Sequence, residues 1–352
     1  MRGTERPAYS AGLWSVSSTF VRGATQIFRA LFHPERYHGH GRRAPFFEGW
    51  YFKLVDQTEQ HRFAVIPGIF LSDDPAEQHA FIQILDGSTG DATYHRFSSE
   101  DFSAAEGAFD VRIGPNHFTR TSLRLDIDDG ARTVSGRVDL VDPTPWPVSL
   151  TSLGIMGPYG WIPWMECNHA VVSLDHGLSG DLLVAGSEVD FTGGRGYVEK
   201  DWGKSFPAGY VWMQSNHFER GGVSFVGSIA IIPWMLSSFP GFIVGVWLDG
   251  RLFRFATYTG ADTRHLRITD ETIEWVLADD ERVLAIEARR EKGGLLYGPT
   301  RERMSDRVGE TMLSEVHIDL RTETGVPIFE GTGRNTGLEA HGDLQRLLAM
   351  QT

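Results

Sequence analysis

The stretch VGVWLDGRLFRF, residues 244–255, indicates the fold class of this protein. Two runs of branched and aromatic residues flank the pair Asp249-Gly250. Asp-Gly readily adopts the positive φ angles of a type I′ turn, which joins two antiparallel strands with the right twist. The stretch therefore predicts a β-hairpin, and we expect a chain built of such units to be all-β.

Similar short runs, separated by turn pairs such as Asp86-Gly87 and Asp129-Gly130, extend outward from this hairpin in both directions. Branched and aromatic residues favour a pleated, half-buried surface, so these runs indicate antiparallel strands. The predicted strands are Glu48–Val55, Phe63–Ile69, Ala80–Leu85, Ser122–Ile127, Thr133–Leu140, Tyr210–Phe218, Val223–Ile232, Val316–Arg321 and strands within Glu271–Arg290. A short closing helix is predicted at Leu344–Met350.

The chain of 352 residues is too long for one ordinary hydrophobic core, so we expect two packed β halves. The predicted units are an N-terminal helix and lead-in over 1–40, a β domain over 41–190 and a second β domain over 191–352. Apolar residues at helical spacing predict the amphipathic helix in the lead-in. These are Leu13, Val16, Phe20, Ala24, Ile27, Phe28 and Leu31.

The net charge and the cysteine content limit which partners the protein is expected to bind and which compartment it requires. The net charge of -13, without a run of Lys or Arg, argues against a nucleic-acid partner. The single cysteine, Cys167, cannot form an intramolecular disulfide, so no oxidising compartment is required. The N-terminus lacks the pattern of a secretory signal, and a cytoplasmic protein is expected.

Two windows, 143–165 and 221–248, contain no charged residue. Their prolines favour strand, loop and strand over a membrane-spanning helix. Trp161, Trp164 and Trp234 could border an apolar cavity or contact a bilayer surface, because indole suits a site that is apolar at one end and wet at the other. Ordinary core packing by these loops is the alternative, and peripheral membrane contact stays open.

Familiar cofactor and nucleophile motifs are incomplete. The segment GKS at 203–205 lacks the glycine that a phosphate-binding loop has five residues earlier, where Val198 stands. There is no GxGxxG, GxSxG or HExxH pattern. His33, His38 and His40 lack the partner spacing of a metal site. We therefore predict neither a cofactor nor a metal.

The segment YVEKDWGKSFP, residues 197–207, carries the strongest candidate for chemistry. Side chains two apart in a strand share a face, so Tyr197, Glu199 and Asp201 should project together. Two carboxylates held close and partly desolvated raise one pKa, which is what a carboxylic acid needs to donate a proton near neutral pH. The alternative is that both carboxylates form ion pairs with Lys200 or Lys204.

Two further segments supply candidates. In WMQSNHF, residues 212–218, the same alternation predicts a face with two polar amides, and His217 on the other face is a candidate base or a structural histidine. That face comprises Trp212, Gln214, Asn216 and Phe218. In FFEGWYF, Glu48 lies among aromatic residues, where it is either an acid of raised pKa or the partner of Arg42 or Lys53.

Three motifs together resemble those of the tocopherol cyclase family. They are FFEGWYFK at 46–53, preceded by YHG at 37–39; GYVEKDWGKSFP at 196–207, followed by WMQSNHF; and IFEGTGRNTGLE at 328–339. The resemblance implies a fold of two lipocalin-like halves and a cofactor-free reaction on a prenylated quinol. In that reaction an acid protonates the prenyl double bond, the phenol oxygen closes a chromanol ring, and aromatic faces stabilise the cation.

This resemblance, with the faces above, gives a set of expected site residues. The catalytic candidates are Asp201, Glu199, Glu48 and His217, and the substrate-binding candidates are Tyr197, Trp202, Trp212, Gln214, Asn216, Phe218 and Trp50. The partner is a hydrophobic small molecule. Carotenoid hydratases and lipocalin-like pericyclases are related families, so addition of water to an isoprenoid is one alternative. A non-catalytic lipocalin-like carrier is the other.

Overall fold

The protein was analysed as a computed structural model, which describes residues 32–130 and 132–351. The amphipathic helix expected over residues 13–31 lies outside the described residues. Most of the described chain forms antiparallel strands, which confirms the all-β fold class.

The first twelve strands form one sheet, in the order β4-β3-β2-β1-β12-β10-β9-β8-β7-β6-β5, with β11 on β10. They are β1 Phe46–Val55, β2 Arg62–Leu71, β3 His79–Asp86, β4 Ala92–Phe97, β5 Phe102–Ala104, β6 Asp110–Ile113, β7 Asn116–Thr119, β8 Ser122–Asp128, β9 Thr133–Val141, β10 Cys167–Val184, β11 Ser187–Asp190 and β12 Arg195–Gly203. β12 lies between β1 and β10, so the segment that carries Glu199 and Asp201 is central in this sheet.

The other eleven strands form the second sheet, in the order β17-β16-β15-β13-β23-β22-β20-β19-β18, with β14 on β23 and β21 on β22. They are β13 Gly209–Ser215, β14 His217–Phe218, β15 Val223–Trp234, β16 Ser237–Leu248, β17 Arg251–Ala256, β18 Asp262–Ile268, β19 Thr272–Ala278, β20 Arg282–Arg289, β21 Gly294–Pro299, β22 Met304–Thr322 and β23 Pro327–Gly342. The chain ends in helix α1 Leu344–Ala349, where a helix was predicted.

Each sheet curls around a core of its own. In the first sheet, Phe52 on β1 contacts Phe118 on β7, with ring centroids 5.8 Å apart. In the second sheet, Phe242 on β16 contacts Trp275 on β19 at 6.0 Å. Strands distant in each sheet order thus share one core, which confirms two lipocalin-like halves. The predicted division at residue 190 stays a prediction, and the first sheet ends with β12.

A third cluster of buried residues packs the two sheets face to face. Tyr51 on β1 meets Trp212 on β13 edge to face, with centroids 5.5 Å apart. Ser224 on β15 donates a hydrogen bond to the Leu174 carbonyl at 2.7 Å. This intersheet layer places side chains of β1, β10 and β12 opposite those of β13, β22 and β23.

The hairpin at 244–255 has the predicted geometry. Asp249 and Gly250 both have positive φ, 48° and 85°, and join β16 to β17. The charge-free window 221–248 is strand, turn and strand, as expected. The first window, 143–165, is different, because it forms loops and the 3₁₀ segment Gly154–Trp161 instead of paired strands. Its five prolines lack the backbone N–H that each residue of a paired strand would donate.

Among the described residues, no helix is both long and apolar enough to cross a membrane.

Candidate active site

A cavity of about 180 Å³ lies between the two sheets and is walled mainly by aromatic and aliphatic side chains. Among the described residues that line it, none is Lys or Arg. The acidic and basic side chains that reach it are His169, Glu199, Asp201 and Glu339. The cavity is therefore apolar, with its titratable groups collected on a few strands.

Strand alternation on β12 brings two of these carboxylates to the cavity. Tyr197, Glu199 and Asp201 face the second sheet, as predicted from their spacing, and the Tyr197 hydroxyl donates to Glu199 Oε2 at 2.6 Å. Val198 points the other way, into the core of the first sheet. The pleat of one central strand thus separates an acidic cavity face from an apolar core face.

Glu199 is the most deeply buried of the carboxylates that line the cavity. Its Oε2 also accepts a hydrogen bond from Trp212 Nε1 at 3.0 Å, and His169 Nε2 lies 3.6 Å away. Burial raises the pKa of Glu199 to about 7; His169 and Tyr197 oppose the rise, whereas Asp201 and Glu339 add to it. At neutral pH this carboxyl is poised between its acid and its base form.

His169 on β10 completes an ion-paired group. It is the cross-strand partner of Asp201 on β12, and its Nδ1 lies 2.9 Å from Asp201 Oδ1. Burial alone would lower the pKa of His169, but Glu199 and Asp201 outweigh burial and raise the pKa to about 9. The ring is therefore an imidazolium at neutral pH, held between two carboxylates.

Glu339 on β23 brings a third carboxyl to the cavity from the opposite sheet. The Tyr210 hydroxyl donates to its Oε2 at 2.6 Å. Burial raises its pKa to about 7; the Tyr210 hydrogen bond opposes the rise, and Asp201 adds to it. Its cross-strand partners are Trp212 on β13 and Glu310 on β22.

Glu310 lies behind Glu339 and does not line the cavity. It is fully buried and accepts a hydrogen bond from the Tyr51 hydroxyl. Burial and the neighbouring Glu339 raise the pKa of Glu310 well above its usual value. Carboxyls from both sheets thus converge on one intersheet layer and repel one another when ionised.

One subset of these side chains also has the composition of a metal site. Ligand atoms of His169, Glu199 and Asp201 lie within 4.8 Å of one another. One imidazole and two carboxylates are donors that a divalent cation accepts. His169 Nδ1 pairs with Asp201 at 2.9 Å, whereas the buried His169 Nε2 has no hydrogen-bond partner among the described residues, so the geometry is compatible with an ion-paired group and with a metal site.

The sequence model of the tocopherol cyclase-like family matches residues 156–342, more than half of the chain. This chain belongs to the tocopherol cyclase-like family. The matched range includes His169, Glu199, Asp201 and Glu339, and therefore every acidic and basic side chain that reaches the cavity.

Solved structures share the architecture of this tocopherol cyclase-like protein at low sequence identity. CghA is 13% identical, with 85% of this chain and 89% of that chain aligned and a TM-score of 0.53. An AttH from Nitrosomonas europaea is 14% identical, with 87% and 94% aligned and a TM-score of 0.52. Kievitone hydratase from Nectria haematococca is 10% identical, with 84% and 89% aligned and a TM-score of 0.48. At this distance, CghA and the AttH show the fold alone.

Three of the expected site residues lie on the opposite face of the first sheet, away from the cavity. Glu48 is fully buried and pairs with Lys200 at 2.5 Å, instead of with Arg42 or Lys53. Burial alone would raise the pKa of Glu48, but Lys200 and His38 hold it below its usual value. Glu48 is thus a carboxylate in a structural ion pair.

The two tryptophans on this face surround the same pair. The Lys200 ammonium lies 4.9 Å from the Trp50 ring centroid and 4.8 Å from that of Trp202. Trp202 also stacks on His38, with ring centroids 4.2 Å apart. Neither ring lines the cavity, and both instead pack against the buried ammonium of Lys200.

The expected polar face on 212–218 is only partly directed toward the cavity. Trp212 lines it, whereas Gln214 accepts a hydrogen bond from Lys53 at 2.8 Å deeper in the layer. Asn216 donates to Asp175 at 2.9 Å and to the Gly196 carbonyl at 2.8 Å. Both amides therefore bind neighbouring protein groups.

The predicted alternation fails after Asn216, because the strand is interrupted there. Phe218 packs on Phe329 inside the second sheet, at a centroid distance of 5.8 Å. His217 is buried outside the cavity lining; burial lowers its pKa well below the usual value, and Lys53 and Arg195 lower it further. A neutral histidine at this position is remote from the acidic group.

Sequence reasoning missed several members of the site. Tyr51 and Glu339 both stand in the quoted motifs, at FFEGWYFK and at the end of IFEGTGRNTGLE, and could have been found by asking which motif residues carry acidic or hydroxyl groups. Tyr210 lies two residues before Trp212 on a predicted strand, so the same alternation could have placed it on the face of Trp212. His169 and Glu310 stand outside the motifs, and only the sheet register brings them to the site.

Proposed function

We propose that this protein is a cofactor-free enzyme that protonates a carbon–carbon double bond of an apolar isoprenoid, and that its substrate is a prenylated quinol which closes to a chromanol ring. The observation that carries the proposal is that two carboxyls, Glu199 from the first sheet and Glu339 from the second, line one apolar cavity, where burial raises the pKa of each to about 7. One proton shared by two such groups provides an acid and a base at neutral pH.

The cavity wall fits a neutral, largely hydrocarbon substrate. Its described lining residues include no lysine or arginine, and the His169 imidazolium is already paired with Asp201 at 2.9 Å, so the wall is poorly suited to a phosphate or carboxylate. Rings such as Trp212, Tyr210 and Phe206 border the space. Aromatic faces and carboxylates both favour a cation, so a tertiary carbocation is better stabilised here than in hydrocarbon alone.

The hydrogen bonds favour one distribution of the proton. Glu199 Oε2 accepts from Tyr197 and Trp212, and the His169 imidazolium lies beside it. Glu339 accepts from the Tyr210 hydroxyl at 2.6 Å, and its other partners are the Glu310 carboxyl and His341 on the same layer. Donors stabilise the ionised form, so we assign the carboxylate to Glu199 and the carboxylic acid to Glu339.

These assignments give a balanced isomerisation. The Glu339 proton adds to the less substituted alkene carbon, and the tertiary carbon becomes a cation. The phenol oxygen forms the new C–O bond to that carbon and releases its proton to Glu199. One proton leaves the pair and one returns to it, so the product has the mass of the substrate and no cofactor is consumed.

The test uses the purified full chain and a dimethylated phytyl quinol. In D₂O, a cyclised product should carry one deuterium at the protonated carbon. Glu199→Gln and Glu339→Gln should each lower kcat by about 100-fold or more, since a positioned acid or base contributes about that much. The exposed Glu287→Gln is the matched control and should leave kcat unchanged.

Other outcomes of this experiment identify the alternatives. A product heavier by one water would mean that water, not the phenol, captures the cation. Stoichiometric binding with unchanged substrate would indicate a carrier. Activity that is lost with a chelator and restored by a divalent cation would assign His169, Glu199 and Asp201 to a metal. Full activity in Glu199→Gln, Glu339→Gln and Asp201→Asn would overturn the site assignment.

A further inference from the structure

An apolar projection stands outside the cavity wall. The hairpin between β15 and β16 ends in Met235, which is 89% exposed, and Leu236, which is fully exposed. Trp164, in the loop before β10, is 63% exposed. We call these three residues, Trp164, Met235 and Leu236, the apolar tip. We propose that the apolar tip docks on the surface of a neutral lipid bilayer, a role that does not depend on the proposed reaction.

The apolar tip is continuous with the cavity wall through a cluster of aromatic rings. Tyr159 lines the cavity and lies 6.0 Å from both Trp234 and Phe239. Trp234 directly precedes Met235, and Met165, another lining residue, directly follows Trp164. Both exposed segments therefore directly adjoin, along the chain, residues that line the cavity or contact its lining.

The charge of the protein determines which kind of lipid surface the apolar tip can bind. The segments 143–165 and 221–248, which carry the apolar tip, contain no charged residue, and the whole chain has a net charge of -13. An anionic bilayer would repel such a protein, while insertion of apolar side chains into a neutral one has no electrostatic cost. The attachment must therefore be driven by burial of hydrocarbon.

Shape favours a bilayer over a protein partner. Met235 and Leu236 occupy the turn of a two-stranded projection, with φ of 52° at Met235. A stable protein interface buries about 800 Å² on each partner across a complementary surface, which a narrow tip does not offer. Tryptophan beside aliphatic residues is the composition found where proteins meet the headgroup boundary.

The first described residue, Phe32, contacts the segment that carries Trp164. Phe32 packs edge to face on Trp161, with ring centroids 5.8 Å apart, three residues before Trp164. The sequence that precedes Phe32 has apolar residues at helical spacing with Arg22 and Arg29 between them. This sequence pattern is typical of segments that lie along a membrane surface.

Vesicle flotation of the full chain tests the proposal. Phosphatidylcholine vesicles should bind the wild-type protein, and adding phosphatidylserine at low salt should weaken binding. The double variant Met235→Asn/Leu236→Ser keeps a residue that tolerates positive φ at 235 and should reduce binding at least about tenfold. Trp164→Ser should also reduce it.

Matched controls lie at the far ends of the sheets. Leu183 and Val326 are exposed apolar residues, 45% and 58%, and Leu183→Ser and Val326→Ser should change binding by less than about twofold. The proposal is overturned if the full chain does not bind neutral vesicles, or if Met235→Asn/Leu236→Ser binds like wild type with an unchanged Tm. It is equally overturned if light scattering shows a dimer that this variant turns into a monomer, because a second copy would then cover the apolar tip.

Discussion

Trp212 joins the two sheets at Glu199: its indole Nε1, on β13 of the second sheet, donates to Glu199 Oε2, on β12 of the first sheet, at 3.0 Å. Trp212 is also the cross-strand partner of Glu339. One side chain therefore touches the carboxylate we assign as base and stands beside the carboxyl we assign as acid. The proton distribution in the cavity depends on how the two halves pack.

Trp212→Phe should lower kcat about tenfold while KM changes little. The change keeps the ring but removes the N–H, and one hydrogen bond to a charged group is worth roughly 1.5 to 3 kcal/mol. Trp275→Phe is the matched control, because it removes an indole donor to Thr263 inside the second sheet, away from the cavity. A kcat for Trp212→Phe equal to that of the control would mean that this hydrogen bond has no role in turnover.

The proposed reaction should have a narrow, bell-shaped dependence of kcat on pH, with its maximum near pH 7. Below about 7 the base Glu199 becomes protonated, and above about 7 the acid Glu339 loses its proton. His169, with a pKa of about 9, keeps its charge through both limbs. A profile that stays flat from about pH 5 to about pH 9 would exclude this pair as acid and base.

Tyr197→Phe should move the acid limb of that profile to higher pH. The Tyr197 hydroxyl donates to Glu199 and opposes the rise of its pKa, so its loss should raise that pKa further, by roughly one unit. Tyr258→Phe is the control, since Tyr258 lines the cavity but its hydroxyl donates to the Ile155 carbonyl and not to Glu199. An acid limb unchanged by Tyr197→Phe would show that another group titrates there.

Local rules predicted what a single strand determines. The Asp249-Gly250 hairpin follows from turn chemistry, and the shared face of Tyr197, Glu199 and Asp201 follows from the two-residue period. The same period could have excluded one expected pair: Glu48 and Lys53 are five apart in β1 and must point to opposite faces. The rule holds only while a strand is continuous, and it fails for Phe218 because β13 ends at Ser215.

The two-residue period cannot predict which residues of neighbouring strands face each other, because that depends on the register between the strands. Lys200 lies diagonally across from Glu48 because β12 pairs with β1 in one register, and His169 faces Asp201 because β10 pairs with β12 in another. A shift of one residue in either pairing would exchange the faces. Glu339 requires in addition that the second sheet fold onto the first, which no local pattern in β23 specifies.

Glu48 and Lys200 should act on stability and not on turnover. Lys200→Met leaves a fully buried carboxylate without its cation, which should cost roughly 3 to 5 kcal/mol of unfolding free energy. The double variant Glu48→Gln/Lys200→Met removes both charges and should recover part of that loss. Urea denaturation measures the stability, and kcat per folded protein should stay near wild type in the double variant.

A different result would give Glu48 a catalytic role. Suppose that Glu48→Gln is as stable as the double variant but has lost turnover, whereas Lys200→Met alone retains turnover. The Glu48 carboxyl itself would then take part in the reaction. The buried face of β1 would then have to communicate with the cavity on the other side of the sheet.

Glu199→Gln should stabilise the protein relative to wild type, and the gain should grow as pH rises. The folded pKa of Glu199, about 7, is above its unfolded value of 4.5, so the stability that this group contributes is fully present below about pH 4.5 and is lost as pH rises through 7. Glutamine does not titrate, yet its amide oxygen still accepts from Tyr197 and Trp212. The difference in unfolding free energy between variant and wild type should therefore be larger at pH 7.5 than at pH 5, by up to roughly 3 kcal/mol, and smaller to the extent that Glu339 shares the proton.

Urea denaturation at both pH values measures this difference, with the exposed Glu287→Gln as the reference. An equal difference at both pH values would mean that Glu199 is an ordinary carboxylate in the folded protein and would remove the basis for its role as a base near neutral pH.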